Sequence, residues 1–132
     1  MKVFKKICLL LLIYGFSASS YSQSYSGPYI HFDSLTIDLG ILRHSASQRK
    51  VTFVFTNLGD APVMIENVES SCGCTKVTYP KRSVKPGKSG KINVEFDGGG
   101  ISLGKFLSKI NVFNNSPFRN IILRIRGEIS EE

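Results

Sequence analysis

Apolar and polar positions alternate in short runs along this 132-residue chain, and turn residues separate the runs. Residues 50–56 show the pattern best: Val51, Phe53 and Phe55 fall on one side, Thr52 and Thr56 on the other. A period of two marks a strand with one face buried. Residues 91–96 repeat it, with Ile92, Val94 and Phe96 inward and Lys91, Asn93 and Glu95 outward. Further strands are predicted over residues 29–32 and 35–42 (broken by Asp33-Ser34), over 62–68 with Val63 and Ile65 inward, and over 76–79, stopped by Pro80. Residues 105–113 bury Phe106, Ile110 and Val112. A last strand is marked by Ile121, Leu123, Ile125 and Ile129, with Arg124, Arg126 and Glu128 facing water. Asn57-Leu58-Gly59-Asp60 reads as a turn, because Asn and Gly tolerate positive φ. Pro86-Gly87 and residues 114–117 read as turns as well. Gly98-Gly99-Gly100 has no side chains to pack and is expected as a flexible loop or a crossing between sheets.

No stretch carries a helical period. Seven to eight strands spaced near ten residues apart predict an all-β fold, an immunoglobulin-like antiparallel β-sandwich. Antiparallel pairing is expected because parallel neighbours need long crossovers, usually helical. The chain has no Trp, and Cys72 and Cys74 are near neighbours, so the inter-sheet disulfide and packed Trp of antibody domains are absent. Aliphatic and Phe packing must hold the layers together.

The N-terminus has a separate character. Lys2, Lys5 and Lys6 precede an unbroken apolar run over residues 7–16, followed by small and polar residues over 17–22. That order is a secretory signal peptide. The run falls short of the about 20 residues a membrane-spanning helix needs, so no transmembrane anchor is expected. Cleavage is expected after Ser22, with Ser20 as the close alternative. Cys8 stands at the start of the apolar run, the wrong place for lipid attachment. The expected organisation is a signal peptide over 1–22, a short linker over 23–28 and one sandwich domain over 29–130. A domain of that size buries roughly 65% of its extended surface, enough for a core without metal or disulfide help.

The formal charge of +7 includes three lysines of the signal segment. Lys81, Arg82, Lys85, Lys88 and Lys91 gather around one turn, read first as a solvated hairpin end and second as a weak contact for anionic lipid or polysaccharide. Nucleic acid is not expected: no helix carries the charge, and export argues against that partner.

The unusual chemistry lies in Ser71-Cys72-Gly73-Cys74-Thr75. Neighbouring cysteines in an exported protein oxidise. Two residues apart in an extended strand, they sit near the upper Cα separation a disulfide accepts, about 6.8 Å, and a turn at Gly73 would bring them within it. Closing so small a ring contributes roughly 1.6 kcal/mol by chain entropy, against about 3 for a fifteen-residue loop. Three roles stay open: a structural corner (packing or a local disulfide), thiol–disulfide chemistry, or copper(I) held by two soft thiolates. Structural zinc wants four ligands, and His31 and His44, the available supplements, lack metal-type spacing. No Cys–His protease motif, paired-carboxylate motif or phosphate-binding loop is present.

The strand ending in Leu39-Gly40, the run Val51-Thr52-Phe53-Val54-Phe55-Thr56-Asn57 and the turn Gly59-Asp60-Ala61-Pro62-Val63 form one pattern with Ser71-Cys72-Gly73-Cys74-Thr75. It continues through Pro86-Gly87, residues 91–96, Gly104-Lys105-Phe106 and Val112. This closely resembles the secreted bacterial family known as domain of unknown function 1573. That family is similar in turn to immunoglobulin-like modules of the major sperm protein and abnormal-spindle/Hydin type. The resemblance covers about residues 32–128. Where the family usually carries an aromatic residue before the glycine, this chain has Leu39. The resemblance implies the sandwich, export and no known enzymatic activity, and it brings no catalytic residues. The expected function is therefore a non-enzymatic periplasmic or secreted module that binds a protein or another envelope component. Its contacts would come from a sheet edge, or from the loops carrying Ser71, Gly73, Thr75 and Gly98, Gly99, Gly100. The rival expectation is a small thiol-redox or copper(I)-handling protein acting through Cys72 and Cys74.

Overall fold

The structure, a computed structural model, describes residues 25–131. The expected signal peptide and its cleavage site lie outside the described residues. Eight strands follow in order: β1 (Ile30–Phe32), β2 (Thr36–Arg43), β3 (Gln48–Asn57), β4 (Ile65–Ser70), β5 (Thr75–Thr78), β6 (Ser89–Asp97), β7 (Gly104–Asn114) and β8 (Asn120–Ser130). They form two four-stranded sheets, β1-β3-β6-β5 and β2-β8-β7-β4.

The alternation in the sequence explains the layers. β3 pairs with β6 so that Phe53 lies opposite Ile92 and Val51 opposite Val94. This turns one apolar face toward Ile110, Val112, Leu123 and Ile125 of the other sheet. Val63 and Ile65 join the same core. Burial of each such side chain is worth about 1.5–3 kcal/mol. A smaller cluster of Leu42, Phe96 and Ile129 closes one end, where Phe96 stacks on Phe106 at 4.9 Å and Cys74 packs alongside. On the outer face of β8, Arg126 is exposed as expected, while Arg124 and Glu128 are half-covered by the neighbouring strands.

Two expectations need correction in detail, and a third is decided between its alternatives. First, β2 runs parallel to β8, although every other strand pair is antiparallel. A helical crossover is needed between successive parallel strands of one sheet. Here five strands, β3 to β7, lie between β2 and β8 in the chain, and three of them (β3, β5 and β6) carry it through the facing sheet. The parallel contact therefore forms without a helix. The β2 register shifts between Asp38 and Ile41, and Gly40 adopts φ 70° within that bulge.

Second, Asn57 and Gly59 do not serve the turn through positive φ; among the described residues no non-glycine residue has positive φ, and Gly59 does not either. Asn57 is instead wholly buried and fully bonded. Its Nδ2 donates to the carbonyls of Ala61 (2.7 Å) and Val84 (3.0 Å), and its Oδ1 accepts from the Gly59 amide at 2.9 Å. Gly59 is required by crowding, since a Cβ there would stand 1.9 Å from the Gly27 carbonyl oxygen.

Third, Gly98–Gly100 is the sheet-to-sheet crossing, from β6 to β7, and it is an ordered 3-10 turn. Asp97 caps it by accepting from the Gly99 amide at 2.9 Å. Gly98 is buried against Ile129, whose Cδ1 would lie 2.8 Å from an added Cβ.

Candidate functional site

The cysteine corner links the end of β4 in one sheet to the start of β5 in the other, and hydroxyl side chains build it. Ser70 Oγ donates to the Cys72 carbonyl at 3.0 Å and is hydrogen-bonded to Thr75 Oγ1. Thr75 Oγ1 reaches the same Cys72 carbonyl at 3.1 Å. Ser71 ties the corner to β7: its amide donates to the Lys109 carbonyl at 2.9 Å and its Oγ accepts from the Lys109 amide at 3.0 Å. On the other side, the Cys74 carbonyl accepts from the Asp97 amide at 2.8 Å, anchoring the corner to β6. Local hydroxyls and backbone groups from both sheets thus hold this segment in place.

Gly73 turns the chain as expected, and Cys72 and Cys74 form a disulfide across a Cα separation of 5.1 Å. Both cysteines are half-buried. The Cys74 amide points at Cys72 Sγ, 3.2 Å away.

Two depressions flank the bond. One, of about 540 Å³, runs across the end of the β5-β6-β3 sheet between Gly73, Cys74 and Lys76 on one side and Arg49 and Lys50 on the other, with Glu95 and Phe96 between them. The second, of about 410 Å³, is lined by both cysteines, Gly73, Asp97, Gly100 and Ile101. The two candidate loops therefore meet. Of the three glycines Gly100 reaches the disulfide, while Gly98 is buried and Gly99 faces a neighbouring hollow beside His44 and Arg49.

Other candidates are held apart from this corner. Lys81, Arg82, Lys85 and Lys88 are exposed in the β5–β6 connection, at the opposite end of β6 from Asp97, and Lys91 stands on the outer face of β6. Lys81 Nζ sits 3.5 Å from the centroid of the Tyr79 ring, a cation–π contact. His31 lies in β1 and His44 in the turn after β2, and neither lines the two depressions at the disulfide. Among the described residues no three of His, Cys, Asp and Glu gather into a metal-type cluster. Sequence reasoning missed the cations of the larger depression. Lys50 and Lys76 are both paired to Glu95, one from each side, and a period of two does not show that β6 lies between them.

Two facing four-stranded sheets, with no α-helix among the described residues, and Greek-key-like switching between layers define an immunoglobulin-like β-sandwich. Within that class, residues 30–129 match the family described as Protein of unknown function (DUF1573), and the chain belongs to it. Similar folds are found in a protein of unknown function from Porphyromonas gingivalis W83 (TM-score 0.69, 16% identity, 80% of this chain and 49% of that one). The ASH / PapD-like domain 7 of human CEP192 is also similar (TM-score 0.62, 10% identity, 78% of this chain and 86% of that one). So is the CupB2 chaperone of Pseudomonas aeruginosa (TM-score 0.56, 14% identity, 76% of this chain and 56% of that one). The chain thus spans about half the length of the Porphyromonas protein. No curated protein matches it. Among the described residues no helix is long and apolar enough to cross a membrane.

Proposed function

We propose that this chain is an exported, non-enzymatic binding module of the bacterial envelope whose protein partner adds a strand to the open edge of β5. The observation that carries this reading is the state of the four sheet edges. Exposed edges are blunted by shortness, bulges or charge. β1 has three residues, β2 is bulged at Gly40, and β4 carries a register shift together with Glu66 and Glu69. β5 is the longest edge whose register runs unbroken, from Thr75↔Phe96 to Thr78↔Asn93. The Cys74 carbonyl bonds to β6, so by antiparallel alternation Lys76 and Thr78 do too, and Val77 turns its backbone groups to the open side. The likeness to a chaperone and to a PapD-like domain fits a role in holding protein. Export is supported by the signal-type N-terminus and by the disulfide, which suits an oxidising compartment.

Capture from envelope extracts tests the edge. The mature domain is expected to enrich at least one envelope protein, and Val77→Pro, which removes the outward amide, is expected to lose it. Lys85→Ser, at the far end of the sandwich, should retain it. Circular dichroism confirms that each variant is folded. Equal capture by wild type and folded Val77→Pro overturns the edge as the contact surface.

A further inference from the structure

We infer that the Cys72–Cys74 disulfide is a thiol–disulfide exchange site that accepts two electrons from a dithiol on a protein docked beside it. The docking part rests on the β5-edge reading; the exchange chemistry does not.

Three observations point the same way. The bond closes a ring of only three residues, so it constrains the unfolded chain far less than a long-loop disulfide does. The corner also keeps its hydrogen bonds without the bond: Ser70, Ser71, Thr75 and the Cys74 carbonyl are all satisfied by other groups. Reduction then leaves the fold intact, and a stable reduced form makes the disulfide a readier oxidant. Finally, the two sulfurs are not equivalent. Cys74 lines both depressions, whereas Cys72 lines one and its Sγ receives the Cys74 amide at 3.2 Å. An N–H aimed at a sulfur favours negative charge there, which makes Cys72 the better leaving group. Arg49, Lys50 and Lys76 on the wall of the larger depression outnumber Glu95 and Asp97 and favour an entering thiolate.

A partner thiolate attacks Cys74 Sγ, the Cys72–Cys74 bond breaks, and its electron pair leaves on Cys72 Sγ beneath the Cys74 amide. The partner's second thiolate then attacks the partner sulfur of this mixed disulfide and expels Cys74 as a thiolate. The partner is left with a disulfide, and Cys72 and Cys74 take up the two protons it released. β5 begins immediately after Cys74, so a strand added at that edge carries its own residues past Gly73 and Cys74.

The test uses the whole mature domain with reduced and oxidised glutathione as the probe, followed by thiol alkylation and mass spectrometry. Half-reduction within the range of ordinary glutathione mixtures is expected, with the trapped glutathione adduct on Cys74. A bond that stays oxidised in reduced glutathione alone overturns the inference, and an adduct mainly on Cys72 overturns the assignment of the leaving sulfur. An extended peptide carrying two thiols is then used as reductant. Val77→Pro should slow the peptide at least severalfold, whereas Lys85→Ser, at the far end of the sandwich, should change neither the peptide rate nor the glutathione equilibrium. If the peptide reduces Val77→Pro as fast as the wild type, the edge reading falls and the exchange site stands.

Discussion

Asn57 shows how much a single polar side chain can organise in this domain. It sits at the end of β3 with no exposed surface. It binds the 57–61 turn to itself and reaches across to the carbonyl of Val84, which also bridges Val63. Its backbone completes the knot, donating to the Lys88 carbonyl at 2.9 Å and accepting from the Gly87 amide at 2.8 Å. Removing a buried partner leaves each group it served to bear its own desolvation cost, about 1–3 kcal/mol apiece. Asn57→Ala strands the carbonyl of Ala61 and the Gly59 amide, while the Val84 carbonyl keeps the Val63 amide at 2.9 Å. It is therefore expected to cost about 2 kcal/mol or more in urea unfolding. Turn chemistry pointed to this residue for the wrong reason. Asn and Gly together suggest left-handed backbone, whereas the real demands are a buried acceptor–donor hub and a close approach of Gly27. Neither is visible without knowing that the 27 and 84 segments come to the same place.

Among the elements, β2 departs furthest from what periodicity implied. Its apolar positions identified a strand, but its neighbour and direction came from elsewhere: Asp38 pairs with Arg126 in a parallel register, and the bulge that follows is shaped by the same carboxylate. Asp38 Oδ1 accepts from the Gly40 amide at 2.8 Å and Oδ2 from Arg126 Nε at 3.1 Å. The Gly40 amide first, and Arg126 second, hold the Asp38 carboxyl below its ordinary value of 3.8 against an opposing desolvation. A carboxylate with a lowered folded pKa stabilises the fold above its unfolded value and loses that contribution as pH falls through the folded one. Asp38→Asn cannot titrate, so its unfolding midpoint should fall less on acidification below about pH 4 than the wild type's. Identical acid limbs for the two proteins would show that the bulge does not depend on the charge. The effect is small, because the Arg126 pair is exposed and screened.

Across the whole molecule, stability resides in the apposed faces of the two sheets and not in the covalent link. Phe53→Ala, which empties a wholly buried site, is expected to cost about 3–5 kcal/mol. Replacing both Cys72 and Cys74 by Ser is expected to cost roughly 1.6 kcal/mol or less, leaving a cooperative unfolding transition. Thermal and urea unfolding of the pair of variants decides between a core-held and a disulfide-held domain. The candidate site was half legible in the chain. Cys72 and Cys74 were recognisable as the chemistry, because two sulfurs one glycine apart can meet wherever the backbone turns at Gly73. That Gly100 would join them, and that Arg49 and Lys50 would face Lys76 across Glu95, depends on strand order. The alternation of apolar and polar residues determined by itself that this chain forms strands, which side of each is buried, and that two layers must cover one another. Such a pattern is local, set by a side-chain period of two. Which strand lies beside which, that β2 runs parallel to β8, and which loops share an end of the sandwich were decided only in the tertiary structure. Neighbours in a sheet are chosen by packing and hydrogen bonds between residues far apart in the chain, and a period of two carries no record of that choice.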